Sequence, residues 1–367
     1  MTDLFAPLDL GGVQFRNRIG VAPMCQYCCA GDGKPTDWHL AHLMQRAIGG
    51  AATVITEANA VTPEGRITPR DLGLWEDGQI AGHARLAAAI AAAGAVPGTQ
   101  IAHAGRKAGR NPPWRPGIGE PSWTPLGPSA VAFDDFLTPK AMSEQEIGDT
   151  IAAFAATAKR AVTAGYRLVE LHAAHGYLLH QFLSPLSNQR NDGWGGDWTG
   201  RTRLVREATA AVRAVLPAGV VLAVRISHTD WVEGGWTTEE SVELAKALKA
   251  IGVDLVDTSS GGLHPAQQIP VGPGYQVPGA RRVREEAGIA TAAVGLITEP
   301  DQAQQIIAEG SADMVFLARA VLRDPYWPMH AAVALGRTEA MVTPPQYDRG
   351  WPRMPMAMAI ETPLPAL

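Results

Sequence analysis

The sequence predicts an α/β protein of one domain, a closed (β/α)8 TIM barrel. Three observations carry this. Eight short β-forming runs recur along the chain, each followed by a helical pattern. The 367 residues suit one large barrel as well as two ordinary domains. No Gly-x-Gly-x-x-Gly turn follows an early strand, as an open doubly wound sheet would want.

In order, Arg18 to Cys25 reads as a strand stopped by Pro23, with a helix around His39 to Ile48. Thr53 to Thr56 is the second strand, ending at Glu57 and Ala58, with helix Gln79 to Ala93 behind it; Val96 to Ile101 is the third. The stretch Ala104 to Met142, rich in Pro, Gly and Trp, is too long for an ordinary connector and reads as a lid or substrate-binding excursion. Ser143 with Glu146 forms a capping-box pattern that opens helix Glu144 to Ala164. Strand Arg167 to Leu171 follows the turn at Gly165, and His172, His175 and Tyr177 lie just past its end. Helix Arg201 to Leu216 precedes strand Val220 to Arg225, whose terminal cation needs a partner inside a barrel. Helix Thr238 to Ile251 leads to strand Leu255 to Ser259, and helix Gly279 to Ala287 to strand Ala290 to Gly295. Helix Asp301 to Glu309 leads to strand Asp313 to Leu317, which ends at Ala318 and Arg319. The barrel is expected over residues 1–353, and the Pro- and Met-rich stretch 354–367 as a loosely ordered tail.

Composition narrows the function. Apolar residues make up 46% and charged residues 18%, which fits a compact enzyme with a sizeable core. A net charge of −5 offers no cationic field for a nucleic acid backbone, so no such partner is expected. The three cysteines, Cys25, Cys28 and Cys29, are odd in number and clustered, so they build no disulfide framework; a reducing cytoplasm is the expected compartment. No signal peptide is expected from the first residues. The most apolar long window, Leu86 to Val96, is too short to span a membrane.

If the eight strand ends face one pocket, it receives Pro23, Met24, Cys25, Ala58, Gln100, His172, His175, Arg225, Ser260, Gly295 and Arg319. This set suits a flavin. Gln100 offers both a donor and an acceptor to a uracil-like ring edge, and Arg225 offers fixed positive charge where a reduced flavin becomes negative. Gly295 and Arg319 follow strands seven and eight, where such barrels commonly hold a phosphate. His172 and His175 alternatively read as two ligands of a hydrolase metal, with His103 or Glu57 as the third. Taken singly, Cys25 reads as a buried thiol and Tyr177 as a packed aromatic. Lys107 and Arg110 read as solvated charges, able at most to steer NADPH phosphates. Trp114 and Trp123 read as lid packing or pocket lining.

Several segments in order resemble the Old Yellow Enzyme family of FMN-dependent ene-reductases, in its thermophilic-like branch. They are Asn17 to Ile19, Pro23 to Tyr27, Gln100 to Lys107, Glu170 to Tyr177, Phe182 to Arg190, Pro273 to Pro278, Val294 to Thr298 and Gln346 to Trp351. The resemblance covers nearly the whole chain. It implies FMN contacts from Pro23, Met24, Cys25, Ala58, Gln100, Arg225, Gly295, Ala318 and Arg319, with Cys25 tuning the flavin potential. It implies that His172 and His175 hold the carbonyl of an activated alkene, that Tyr177 protonates it, and that Tyr27 orients it. NADPH would refill the flavin in the same pocket, giving ping-pong kinetics on enones, enals or maleimides. Arg349 would reach into a neighbouring subunit's site, implying a homodimer or homotetramer. A same-fold reductase of nitro compounds, nitrate esters or quinones is the alternative; a metal-dependent hydrolase and a non-catalytic flavin binder are the readings from other classes. Three departures stand out: Ala318 replaces a usual glycine before the arginine, Trp194 and Gly200 replace commoner residues in Asn191 to Arg201, and Cys28 with Cys29, directly after the Cys25 to Tyr27 motif, has no reading from the sequence.

Overall fold

Both faces of a parallel barrel strand are covered, so the strands here are buried nearly throughout rather than alternately exposed. The computed structural model describes residues 2–115, 117–118 and 123–351; the expected tail 354–367 lies outside them. Eight parallel strands pair in strict chain order and close on themselves. They are β1 (Ile19–Val21), β2 (Thr53–Ala60), β3 (Val96–Ala102), β4 (Leu168–Ala173), β5 (Val221–Ser227), β6 (Leu255–Ser259), β7 (Ala290–Ala293) and β8 (Met314–Leu317). The outer helices are α1 (Asp37–Ile48), α2 (Ile80–Ala92), α3 (Glu144–Thr163), α4 (Trp198–Val215), α5 (Thr238–Ile251), α6 (Val277–Ala287), α7 (Pro300–Ala308) and α8 (Trp327–Ala334).

Side chains fill three regions. Inside the barrel, Ile55, Leu168, Val221, Leu255, Met314 and Phe316 pack in the lower half. Outside, one apolar layer joins β3, β4 and β5 to α3, α4 and α5, and another joins β1, β2 and β8 to α1, α7 and α8. The predicted capping box at Ser143 and Glu146 is present at the start of α3.

The N-terminal segment does something the strand rhythm did not announce. Leu8–Leu10 and Val13–Phe15 pair as an antiparallel hairpin about Gly11 and Gly12, both at positive φ. Val13 and Phe15 join the interior cluster, and the turn lies against Asp254 and Gly219, just before β6 and β5. The hairpin therefore plugs the lower end of the barrel. Arg16 fastens it there, donating to the carbonyls of Ala47, Ala51 and Ala93 at the ends of α1 and α2.

Several bounds differ from the sequence reading. β2 runs on to Ala60 past a register shift between Thr56 and Ala58. β4 includes His172 and Ala173, so His172 sits on the strand rather than past it. Helix α4 starts at Trp198 rather than Arg201, because Asp197 caps it by accepting from the Gly200 N–H. A side chain at Gly200 would lie 2.1 Å from the Gly195 carbonyl, so this loop needs its glycine. Trp194, stacked under Arg203, closes the same turn, giving Asn191 to Arg201 a helix-starting role.

Candidate active site at the upper end of the barrel

Strand register sets the site's floor. Gln100 on β3 lies opposite Glu170 on β4, His172 opposite Arg225 on β5, and Arg225 opposite Asp257 on β6. These inward positions stand directly above the apolar filling. Gln100 Nε2 donates to Glu170 Oε1 at 2.8 Å, and its side-chain oxygen has no partner among the described residues. Arg225 has Asp257 3.0 Å from its Nε, yet makes no hydrogen bond among the described residues despite being 6% exposed.

Above this floor stand two histidines and a tyrosine. The rings of His172 and His175 lie edge to face with centroids 5.1 Å apart, and His172 meets Tyr177 the same way at 5.0 Å. His172 Nδ1 accepts from the Ala174 N–H at 3.3 Å, which puts its proton on Nε2. His175 Nε2 lies 2.7 Å from the Ser259 hydroxyl. When that hydroxyl donates to His175, at 2.7 Å, rather than to Gln276 Oε1, at 3.3 Å, the His175 proton sits on Nδ1. Burial first, then the charge of Arg225, holds both imidazoles well below their ordinary pKa, so both are neutral at pH 7. Burial, with the nearby Cys25 and Asp71, pushes the Tyr177 phenol far up, so it keeps its proton. Tyr177 lines a narrow cavity with Ala58, Ala60, Ile67 and Asp71.

The chain after β1 supplies one wall. Burial followed by the charge of Glu57 keeps the Cys25 thiol protonated. Tyr27 stands at a positive φ of 52° with the exposed Trp114 edge-on to it at 5.6 Å. Trp114 is thus a rim residue, whereas Trp123 is packing, its indole N–H bound to the Glu64 carbonyl and its face stacked on Arg66. Cys28 lies against the His39 ring, whose Nε2 is 3.4 Å from Glu57; Cys29 is buried.

Two residues outside the predicted set hold the histidine loop. Ser227 accepts from the His175 N–H, and Lys107 donates to the His175 and Gly262 carbonyls. Lys107 is not a solvated charge: its ammonium is buried against the Phe133 face, and burial lowers its pKa to about 7. Gly262 must be glycine, since a Cβ there would meet the His175 backbone at 2.6 Å. Lysine is common on surfaces, and only the backbone contact between the β4 and β6 loops distinguishes this one. Lys107→Met is expected to speed amide hydrogen exchange at residues 174–177 and 260–263 by about tenfold, roughly 1.4 kcal/mol of local stability. Unchanged exchange would remove the clamp.

The far side holds Gly295, Ala318 and Arg319. Gly295 has a φ of +119°, and a Cβ would sit 2.8 Å from Gln276 Nε2, so the backbone there stays bare. Ala318 has a φ of −119° and a ψ of −88°, so its backbone does not enter the left-handed region that favours glycine. Arg319 is exposed at the rim. Arg349 lies apart from this group within one chain: its segment Pro345–Gly350 packs on the outer face of α8 through Tyr347 on Tyr326 and Trp351 on His330. Among the described residues no set of three His, Cys, Asp or Glu side chains is placed to hold a metal, and Glu57 is engaged by His39 and the Gln26 N–H. No helix among the described residues is long and apolar enough to cross a membrane.

The remaining floor features fit a flavin mononucleotide. A buried guanidinium paired only with Asp257 among the described residues can meet an anionic edge, a side-chain amide oxygen with no donor among them can meet an N–H, and bare backbone with an exposed arginine after β7 and β8 can meet a phosphate.

Comparison with known proteins agrees. The NADH:flavin oxidoreductase / NADH oxidase family matches residues 3–337. The chain is 46% identical over 349 residues to an NADPH dehydrogenase of Halalkalibacterium halodurans, covering 95% of this chain and 98% of that one. It superposes on morphinone reductase with a TM-score of 0.77 at 25% identity, over 90% of each chain. For a 2-naphthoyl-CoA reductase the TM-score is 0.83 at 28% identity over 92% of this chain. The present chain spans about half of that longer one, 53%.

Proposed function

Because the chain belongs to the NADH:flavin oxidoreductase / NADH oxidase family and is an NADPH-dependent FMN oxidoreductase of the Old Yellow Enzyme kind, we propose that it reduces the C=C bond of electron-poor alkenes. Enones, enals and maleimides are the substrate class. The observation that carries this reading is the pairing of two neutral imidazoles with a protonated phenol at one end of the barrel.

The residues proposed to hold FMN are Pro23, Met24, Cys25 and Ala58 along one wall, Gln100 and Arg225 beneath, and Gly295, Ala318 and Arg319 at the phosphate end. Bound flavin supplies the hydride to the β-carbon of the alkene. His172 Nε2–H and His175 Nδ1–H donate to the substrate carbonyl oxygen, and this draws electron density from the double bond. Both imidazoles can do so at neutral pH because each keeps one proton and one lone pair. Tyr177 gives its proton to the α-carbon, and Tyr27 bounds the substrate from the other wall. A phenol with a raised pKa is a weak acid in water, yet an enolate is basic enough to take its proton. NADPH and alkene use the same space in turn, which gives ping-pong kinetics.

His172→Ala is expected to weaken binding of a phenolic ligand about 10- to 100-fold, the worth of one strong hydrogen bond, with FMN retained. Loss of flavin from the variant would assign His172 to the cofactor instead. Arg349 we assign to the active site of a second copy in a homodimer or homotetramer, because within its own chain it lies on the outer face of α8. Arg349→Ala should raise the substrate KM several-fold, and a monomeric wild-type protein in sedimentation would end that assignment. A cytoplasmic setting accords with the three free cysteines.

The deciding experiment is the visible spectrum of the anaerobic protein before and after NADPH and again after cyclohexenone. Bleaching by NADPH with recovery on enone supports the reading. Bleaching without recovery moves the oxidant to a nitro compound, nitrate ester or quinone, and a colourless protein that takes up no FMN overturns the flavin assignment.

A further inference from the structure

Beneath the flavin site lies a charge imbalance that the reaction itself does not use. Glu170 and Asp257 are both fully buried, and one guanidinium, Arg225, stands with them. Arg225 faces Asp257 across β5 and β6, while Glu170 is met by the neutral Gln100 from β3. Among the described residues, Oε2 of Glu170 and both oxygens of Asp257 accept no hydrogen bond, Oδ2 of Asp257 lying 3.0 Å from Arg225 Nε as an ion pair. Strands β1, β7 and β8 bring no ionisable side chain to this layer, and His172 above it is neutral. Two acids and one base in a dry interior cannot all stay charged, since an uncompensated buried carboxylate takes a proton instead. Gln100 donates to Oε1 of Glu170, so the proton belongs on Oε2.

We propose that Glu170 and Asp257 form one proton-holding site under the cofactor, sharing Arg225 as their only cation, and that this site takes up a proton from solvent each time the flavin is reduced. In the oxidised protein Arg225 balances Asp257, and the pair together holds about one proton. Burial, and the second carboxylate beside it, keep Glu170 above the usual carboxylate range; burial does the same for Asp257 against the pull of Arg225. Hydride from NADPH brings two electrons and one proton to the flavin and leaves it one negative charge richer. That charge competes with Asp257 for Arg225, and one O–H bond then forms on the carboxylate pair from a solvent proton. Nothing else is oxidised or reduced, and the proton leaves when the flavin gives up its hydride. Glu170 acts here as a positioning residue for charge, through Gln100 and Arg225, without touching substrate. The inference rests on flavin bound at this site and is indifferent to which compound reoxidises it.

The test is the flavin midpoint potential of the FMN-loaded protein against pH, over roughly pH 6 to 9. Each proton taken up per two electrons lowers the potential by about 30 mV per pH unit, so the wild type should fall by about 60 mV per unit while the pair titrates. Asp257→Asn, which removes the carboxylate that loses Arg225 on reduction, should fall by about half as much, whereas Glu170→Gln, which mimics the acid already protonated in the oxidised protein, should keep the steeper slope. The redox difference infrared spectrum should show a protonated-carboxyl band growing on reduction in the wild type and missing in Asp257→Asn. A wild-type slope of about 30 mV per unit throughout overturns the proposal. So does a steeper slope that survives both Glu170→Gln and Asp257→Asn, which would put the second proton on the flavin. If Asp257→Asn fails to hold FMN, the wild-type slope and infrared band decide alone. A protein that binds no flavin at all fails the cofactor assignment instead, and is recognised by its colourless spectrum.

Discussion

Tyr177→Phe is expected to slow reoxidation of the NADPH-reduced enzyme by cyclohexenone about 10²- to 10⁴-fold, the usual worth of a positioned general acid. Reduction by NADPH should change little. The asymmetry follows from the geometry: the phenol stands 5.0 Å from His172, centroid to centroid, with its oxygen as its only proton source, and hydride transfer into the flavin needs no proton from it. Phenylalanine keeps the ring that packs against His172, so the flavin and the histidine pair should stay in place. Stopped-flow traces of the two half-reactions read the two effects separately. Equal slowing of both would mean that Tyr177 shapes the pocket and donates nothing.

The second large effect is on stability in acid. Burial holds His42 at about 3 and His83, His103 and His228 at about 4, against an ordinary 6.5, and His172 and His175 are held well below it too. For a histidine whose folded pKa is depressed, the unfolded chain binds the proton first. Stability is then full above about 6.5 and is lost as pH falls towards the folded value, at roughly 3 kcal/mol for each such residue by pH 4. Asp71, raised to about 7 by burial, works the other way, as do Glu170 and Asp257, because their folded forms bind protons first. Burial opposes a charge on His39, but Cys28, Cys29 and Glu57 raise its pKa to about 11, so its contribution is complete below 6.5 and constant in this window. Six histidines against three carboxyls leave a net loss comparable with the whole stability of a domain. Melting followed by circular dichroism should show Tm dropping by about 10 °C or more between roughly pH 6.5 and 4.5. A flat profile would mean that these histidines gain protons in the folded state.

Much of this was legible in the residues. Alternation of β-branched runs with helical patterns located all eight barrel strands, because a strand buried on both faces leaves a continuous apolar signature. The ends were harder. His172 lies on β4 because its inward slot is polar, and a polar residue in sequence looks like the end of a strand. The hairpin over Leu8 to Phe15 was missed, since three-residue strands carry too little pattern to register. Of the site, His172, His175, Tyr177, Gln100 and Arg225 do converge on one end of the barrel. Ser259 and Ser227 escaped notice, and Lys107 was read as a solvated charge, because their importance lies in what they touch across the fold, the ring or backbone of residues 52 to 155 positions away.

The barrel closes between its first strand and its last, and this fixes when the protein can exist on the ribosome. β1 finds β2 early, but its other edge waits for β8, and the plug over the lower end waits for the residues around Asp254. At about 5–20 residues per second, that open edge is present for roughly 15–60 s of synthesis. During that interval the nascent chain offers a strand edge to any neighbour that will pair with it. A message truncated before codon 314 should therefore yield insoluble chains rather than a partly working enzyme, and slower growth temperatures or a chaperone that shields the first strand should raise the soluble yield of the full-length protein.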